Sequence, residues 1–227
     1  MKTFDKKQLW FIAIFTLLGF AFLQIPLTHI IGSKASFTLF DCFAPLAGGF
    51  LGCFAGAISV ILMQLFNFFV HGAKVVDAGT IIKFFPMIFA ALYFSKRSIL
   101  NIIIPALAMI IFITNPIGHT VWYYSLYWLI PIVCYFFQEQ FLLARSLGAT
   151  FTAHAVGGAL WVTFLPLPKL VWLSLIPIVA IERLTFAVGI TVSYLAINNL
   201  LNYINAKNII TYQLPVNTQY VWKLRHN

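Results

Sequence analysis

Apolar residues fill the chain from about Leu9 to Leu201 in long runs that Pro, Gly and a few charges interrupt. The runs lack the strict alternation of membrane β-strands, so they predict helices. Segment one covers about Leu9 to Ile31, with Pro26 near its far end. Segments two (about Phe40 to Leu51) and three (about Phe54 to Val70) are short and rich in small residues. Segment four is about Thr80 to Phe94. Segment five is about Ile99 to Thr114 and stops at Asn115-Pro116, because proline disfavours helix in the residue before it. Segments six and seven are about Val121 to Phe137 and about Leu147 to Leu165. The last is about Leu173 to Leu201. The expected fold is all-α: a polytopic membrane helical bundle of six to eight transmembrane segments, including a short early helix pair. It forms one domain over residues 1–201, followed by a polar cytoplasmic tail over 202–227.

Composition places these runs in a membrane. Hydrophobic residues make up 62% and charged residues 8% of the chain, against about 45–50% and 25% in soluble domains. The net charge of +9 does not point to nucleic acid, because the basic residues lie between and beyond the apolar runs. With Lys2, Lys6 and Lys7 inside, and segments two and three counted as separate crossings, Lys96/Arg97, Arg145 and the tail also fall inside. The positive-inside rule favours this arrangement, with both termini cytoplasmic, in the plasma (inner) membrane. Segment one is too long for a signal-peptide core and reads as an uncleaved span. Cys42, Cys53 and Cys134 lack metal-type spacing and read as free thiols. Gln138-Glu139-Gln140 and Arg145 are expected to be solvated in a cytoplasmic loop.

Acidic residues are rare, five in all, and Asp41 and Glu182 stand inside apolar runs. A carboxylate at membrane depth costs roughly 2.5–3.5 kcal/mol on insertion scales, so such groups are seldom incidental. Asp41 is either a helix cap or a contact for a polar ligand, and Asp77 is better read as a cap. Gln64, Asn67 and His71 fall within about 60° of one another on a helical wheel. That stripe either lines a pocket or bonds neighbouring helices. Ala149, Ala153 and Gly157 form a small-residue stripe for close helix approach. His154, Gly158 and Trp161 share a neighbouring face, where a histidine under a glycine gap could frame a ligand or make a packing bond. Glu182 and Arg183 are adjacent and do not face each other on a helix, so each should meet another segment, as an ion pair or as carboxylate recognition by Arg183. The run from His119 to Trp128 reads as an interfacial aromatic belt or a stacking surface, with Trp122 its candidate contact.

GxxxxGK[ST], GxSxG, HExxH and TVGYG are all missing, so none of the chemistries those motifs carry is visible. The stretch Asp41-Cys-Phe-Ala-Pro-Leu-Ala-Gly-Gly-Phe-Leu-Gly52, followed by Cys-Phe-Ala-Gly56, resembles the proline- and glycine-containing run of S components. These are the substrate-binding membrane subunits of energy-coupling-factor (ECF) vitamin transporters. The family's Ala-x-x-x-Ala docking motif is not reproduced in segment one, where Ala13 is followed by Leu17. The resemblance implies a binder of a vitamin-like molecule energised by separate ATPase and coupling membrane subunits.

The leading expectation is therefore uptake of a vitamin-like or nucleobase-like molecule. Asp41, Gln64, Asn67, His71, Trp122, His154 and Trp161 are its contacts, and Asp77, His119, Glu182 and Arg183 lend support. No catalytic residue, metal or cofactor is assigned. The alternatives are a membrane enzyme acting on a lipid or isoprenoid, with histidines and acids for acid–base or metal chemistry, and a structural or assembly subunit.

Overall fold

The computed structural model describes residues 6–29, 36–71, 78–165, 167–209 and 213–222. Among these the chain is all-α apart from one two-stranded ribbon. α1 is Lys6–Leu23, followed by β1 (Pro26–His29) and β2 (Ser36–Thr38). α2 is Phe40–His71, α3 Ala78–Ile82, α4 Phe84–Ser95, α5 Leu100–Thr114 and α6 Pro116–His119. A 3-10 helix over Trp122–Trp128 leads into α7 (Leu129–Phe137). α8 is Leu142–Phe164, α9 Lys169–Ala206, and a last 3-10 turn is Thr218–Tyr220. Two stretches, Phe40–Val70 and Lys169–Ala206, are long and apolar enough to cross a membrane.

The first of these two is broken. Gly52 has φ 81 and ψ 179, a region essentially closed to residues with a Cβ. The chain reverses there, as the packing on either side demonstrates. Phe22 meets Phe43 and Phe15 meets Phe50, so the first half of α2 runs against α1. In the second half, Phe20 meets Phe66 and Gln24 bonds Asn67, so this half runs with α1. A Cβ on Gly56 would lie 2.7 Å from Gly48 Cα, and one on Gly48 would lie 1.9 Å from the Ala91 carbonyl oxygen. Glycine at both positions lets three backbones touch.

The remaining helices continue the alternation. α4 opposes the second half of α2, with Gln64 bonded to the Phe84 carbonyl at one end and Cys53 Sγ 2.7 Å from Ser95 Oγ at the other. Asn101 at the start of α5 bonds Gln138 at the end of α7, while Phe112 packs on Tyr124 and Trp128 at the opposite end. α8 climbs through the centre: Arg145 bonds the Phe94 and Ser95 carbonyls, and the Val162 carbonyl accepts from Asn115. α9 descends beside it, with Thr191 bonded to Ser146. The small-residue face of α8 does admit α4, since a Cβ on Gly148 would strike Tyr93 and one on Gly157 would just touch Pro86.

Four expectations are corrected. Helix α1 stops at Leu23, not Ile31; Pro26 biases the residue before it toward extended backbone, and the chain turns into the β1–β2 ribbon. Segment six is not one α-helix but a 3-10 turn joined to α7. Gln138 and Arg145 are not solvated: Gln138 is buried against Asn101, and Arg145 caps the end of α4. α9 runs on to Ala206, and residues 213–222 fold back along it. Asn205 bonds Leu214, Asn198 bonds Asn217, and Asn199 bonds Tyr220 and Trp222.

These contacts set a graded expectation. Gly52→Ala should cost about 1–3 kcal/mol through backbone strain alone, because a Cβ there meets nothing within 4 Å. Gly48→Ala should cost about 1–3 kcal/mol through overpacking. Gly157→Ala, whose Cβ would meet only Pro86 Cγ at 3.6 Å, should change stability by less than about 0.5 kcal/mol. Unfolding in detergent reads all three; equal losses would contradict the reversal.

Candidate functional site

Two apolar clusters form the core. One joins α1, α2, α4 and the lower part of α9; the other joins α5, the 3-10 helix, α8 and the upper part of α9. Where they meet, at the end of the bundle away from Arg145 and Gln138, a cavity of about 340 Å³ opens. Phe40 and Met87 come to its wall from the first cluster and Tyr124, Trp172 and Val179 from the second. Its size is that of a small-molecule pocket.

Polar candidates from separate helices converge there. Asp41, Gln64, Asn67, His154, Trp161, Glu182 and Arg183 all line this cavity. Asp41 and Asn67 reach it together because the reversal at Gly52 returns the second half of α2 to the end where the first began. Trp122 does not line it. Val121, Tyr124, Ser125 and Trp128 are buried at i, i+3, i+4 and i+7 on one face, and Trp122 lies off that face, half exposed. His119, on α6, is exposed and also remote from the cavity. The side chain of His71 and the whole of Asp77 lie outside the described residues.

Each polar group has a definable state. Asp41 Oδ2 accepts the Thr38 N–H at 2.8 Å. Asp41 thus stands in the first turn of α2 rather than at its N-cap, and this bond ties the turn back to β2 while the carboxylate keeps further acceptor capacity. Gln64 is engaged by the Phe84 carbonyl and Asn67 by Gln24, so this stripe both holds helices and faces the cavity. Glu182 Oε1 accepts from the Thr28 hydroxyl at 3.3 Å, across to the ribbon. Arg183 reaches the ribbon too: its guanidinium lies 4.5 Å from the ring centre of Phe37.

His154 is more constrained than its position suggested. Trp128 Nε1 lies 3.0 Å from Nδ1, and Tyr124 Oη lies 2.9 Å from Nε2. An indole N–H only donates, so Nδ1 is an acceptor and the ring proton sits on Nε2. Nε2–H then donates to Tyr124, and the Tyr124 hydroxyl keeps its own proton to offer to the cavity. The glycine gap near His154 is shared: Gly157 and Gly158 line the cavity, while a Cβ on Gly158 would lie 2.6 Å from Trp128, whose indole fills the other side. Tyr124, Trp172 and Phe37 escaped the sequence reading. Tyr124 shares with Val121, Ser125 and Trp128 the i, i+3, i+4, i+7 spacing of one helical face, a signal for it in the sequence, whereas nothing in the pattern marks Phe37.

Among the described residues, no three His, Cys, Asp or Glu side chains gather closely enough to hold a metal ion. No family model, curated protein or solved structure matches this chain.

The relay predicts coupling. His154→Ala leaves the buried Trp128 N–H without its acceptor and should cost about 1–3 kcal/mol. In a double-mutant cycle, Tyr124→Phe and His154→Ala should interact by at least about 0.5 kcal/mol. Additive losses in chemical unfolding would mean that the two do not form one unit.

Proposed function

We propose that this chain is a multi-pass plasma-membrane protein that binds a vitamin-like or nucleobase-like small molecule and takes it up, in the manner of an ECF S component working with separate ATPase and coupling subunits. The observation that carries the reading is the convergence of polar and charged side chains from α2, α8 and α9 on one cavity at one end of the bundle. Gln64, Asn67 and His154 also hold neighbouring elements, but Asp41 keeps acceptor capacity and Arg183 keeps Nε and Nη2 donors unmet there.

The outer surface supports a membrane setting. Leu17 on α1, Phe69 on α2, Ile110 on α5, Phe136 on α7, Leu143 on α8, and Ile181 and Val192 on α9 are all exposed. Soluble monomers rarely expose apolar patches beyond a few hundred Å². Lys96, Arg97, Arg145 and Lys207 sit at the end opposite the cavity, so the positive-inside rule turns the cavity outward. Eight segments then cross, with the first half of α2 as a short crossing inside the bundle. Twelve residues span only about 18 Å of a core about 30 Å thick, which a short helix tolerates when protein surrounds it. Transport in this scheme needs no chemistry, only different affinity in outward and inward states.

Two measurements check this. In a cysteine-free background, Thr120→Cys should react with a membrane-impermeant maleimide on intact cells, and Gln140→Cys only after lysis; the reverse pattern inverts the topology. A vitamin and nucleobase panel should contain a compound that stabilises the purified protein by about 2.7 kcal/mol at 100 times its Kd. Asn67→Ala and His154→Ala should lower its uptake, and Trp122→Ala should not. Absence of any stabilising compound, together with unchanged uptake in the first two variants, defeats the proposal.

A further inference from the structure

Arg183 is buried in the bundle and Arg145 half-buried at its other end, and the contrast between them is informative. Arg145 gives its donors to the Phe94 and Ser95 carbonyls, closing the end of a helix. Arg183 is 2% exposed, lines the cavity, and has no hydrogen-bond partner for Nε or Nη2. Its nearest carboxylate oxygen, Glu182 Oε2, stands 3.8 Å from Nη2, beyond hydrogen-bond reach. The rings of Phe37 and Phe186 lie 4.5 and 4.7 Å from the guanidinium carbon and only 5.3 Å from each other. Both therefore cup the same side of the group, which fixes its position without satisfying its N–H donors. A guanidinium presents five such donors in a planar fork that matches a carboxylate. Leaving them unmet in a buried site is costly.

The other charges in the wall narrow the ligand. Asp41 and Glu182 stand with Arg183, and Lys83 is exposed. A purely anionic molecule would satisfy Arg183 but set a third negative charge beside the two acids. A purely cationic one would suit the acids and leave the guanidinium donors unmet. A molecule carrying both signs meets both requirements, and Trp161, Trp172 and Val179 supply apolar wall beside the charged groups.

We infer that the cavity takes a small zwitterion with an apolar body, its carboxylate docked on the Arg183 guanidinium and its ammonium group facing Asp41. The inference rests on the uptake reading of the same cavity and names its ligand class. The test uses three matched probes on the purified full chain: L-phenylalanine, 3-phenylpropionate, which lacks the amine, and 2-phenylethylamine, which lacks the carboxylate. At equal millimolar concentration, phenylalanine should raise the melting temperature at least twice as much as either partial analogue. Arg183→Gln should abolish that response, and Asp41→Asn should make phenylalanine and 3-phenylpropionate equivalent. If Arg183→Gln does not fold, the ranking of the three probes on the unaltered protein decides. An amine-only response equal to that of phenylalanine, or no response to any probe, overturns the inference. A hit from the vitamin and nucleobase panel alongside silence here overturns the zwitterion alone; silence in both removes the uptake reading as well.

Discussion

The reversal at Gly52 is the constraint on which the arrangement depends. Asp41 and Asn67 are 26 positions apart in the chain. In one continuous helix they would lie about 39 Å apart, at opposite ends of the bundle. The φ 81, ψ 179 conformation turns the chain within one residue, and Gly48 and Gly56 let the two halves meet backbone to backbone. Both polar residues then stand at the same end. The reversal also sets the sense of every later helix. Without it, α4 would run the other way, and Arg145 would not meet the carbonyls of Phe94 and Ser95.

Part of this was legible in the sequence, and the division has a physical basis. A glycine-rich interruption between two short apolar runs, combined with the placement of Lys96 and Arg97, is enough to separate the halves of α2. Helical periodicity is enough to put Gln64 and Asn67 on one face. Both inferences use local chain geometry. The sequence reading failed where a side chain's fate depends on a partner distant in the chain. Arg145 and Gln138 look solvated because they follow an apolar run, yet Gln138 ends buried against α5 and Arg145 half-buried with its donors on α4. Trp122, the expected stacking contact of the aromatic run, lies off the buried face that Val121, Tyr124, Ser125 and Trp128 share. Phe37 comes to the cavity on a ribbon that the apolar pattern conceals within segment one and the connection after it.

The two ends of the bundle treat the same kinds of side chain differently. At the end bearing Arg145, asparagine and arginine side chains are consumed by structure, although Gln138 Nε2 is buried without a hydrogen-bond partner. Asn101 and Gln138 bond each other, and Asn198, Asn199 and Asn205 hold the returning chain after α9. At the cavity end, pairing is partial. Asp41 commits one oxygen to the Thr38 N–H, and Tyr124 accepts from His154 while keeping a proton to donate. Arg183 rests on two aromatic rings that offer it no acceptor.

That asymmetry bears on how function is to be read from buried polarity. An incompletely paired charge is a stability cost, and Arg145, which is less buried than Arg183, avoids it by meeting two carbonyls. Repairing Arg183 in the same way would need only a carboxylate about 1 Å nearer than Glu182, which instead takes the Thr28 hydroxyl at 3.3 Å; hydrogen bonds to charged groups close near 2.7–2.9 Å. Glu182 thus gives Arg183 an ion pair at 3.8 Å but no hydrogen bond, and the unmet Nε and Nη2 donors are what the proposed carboxylate contact would satisfy.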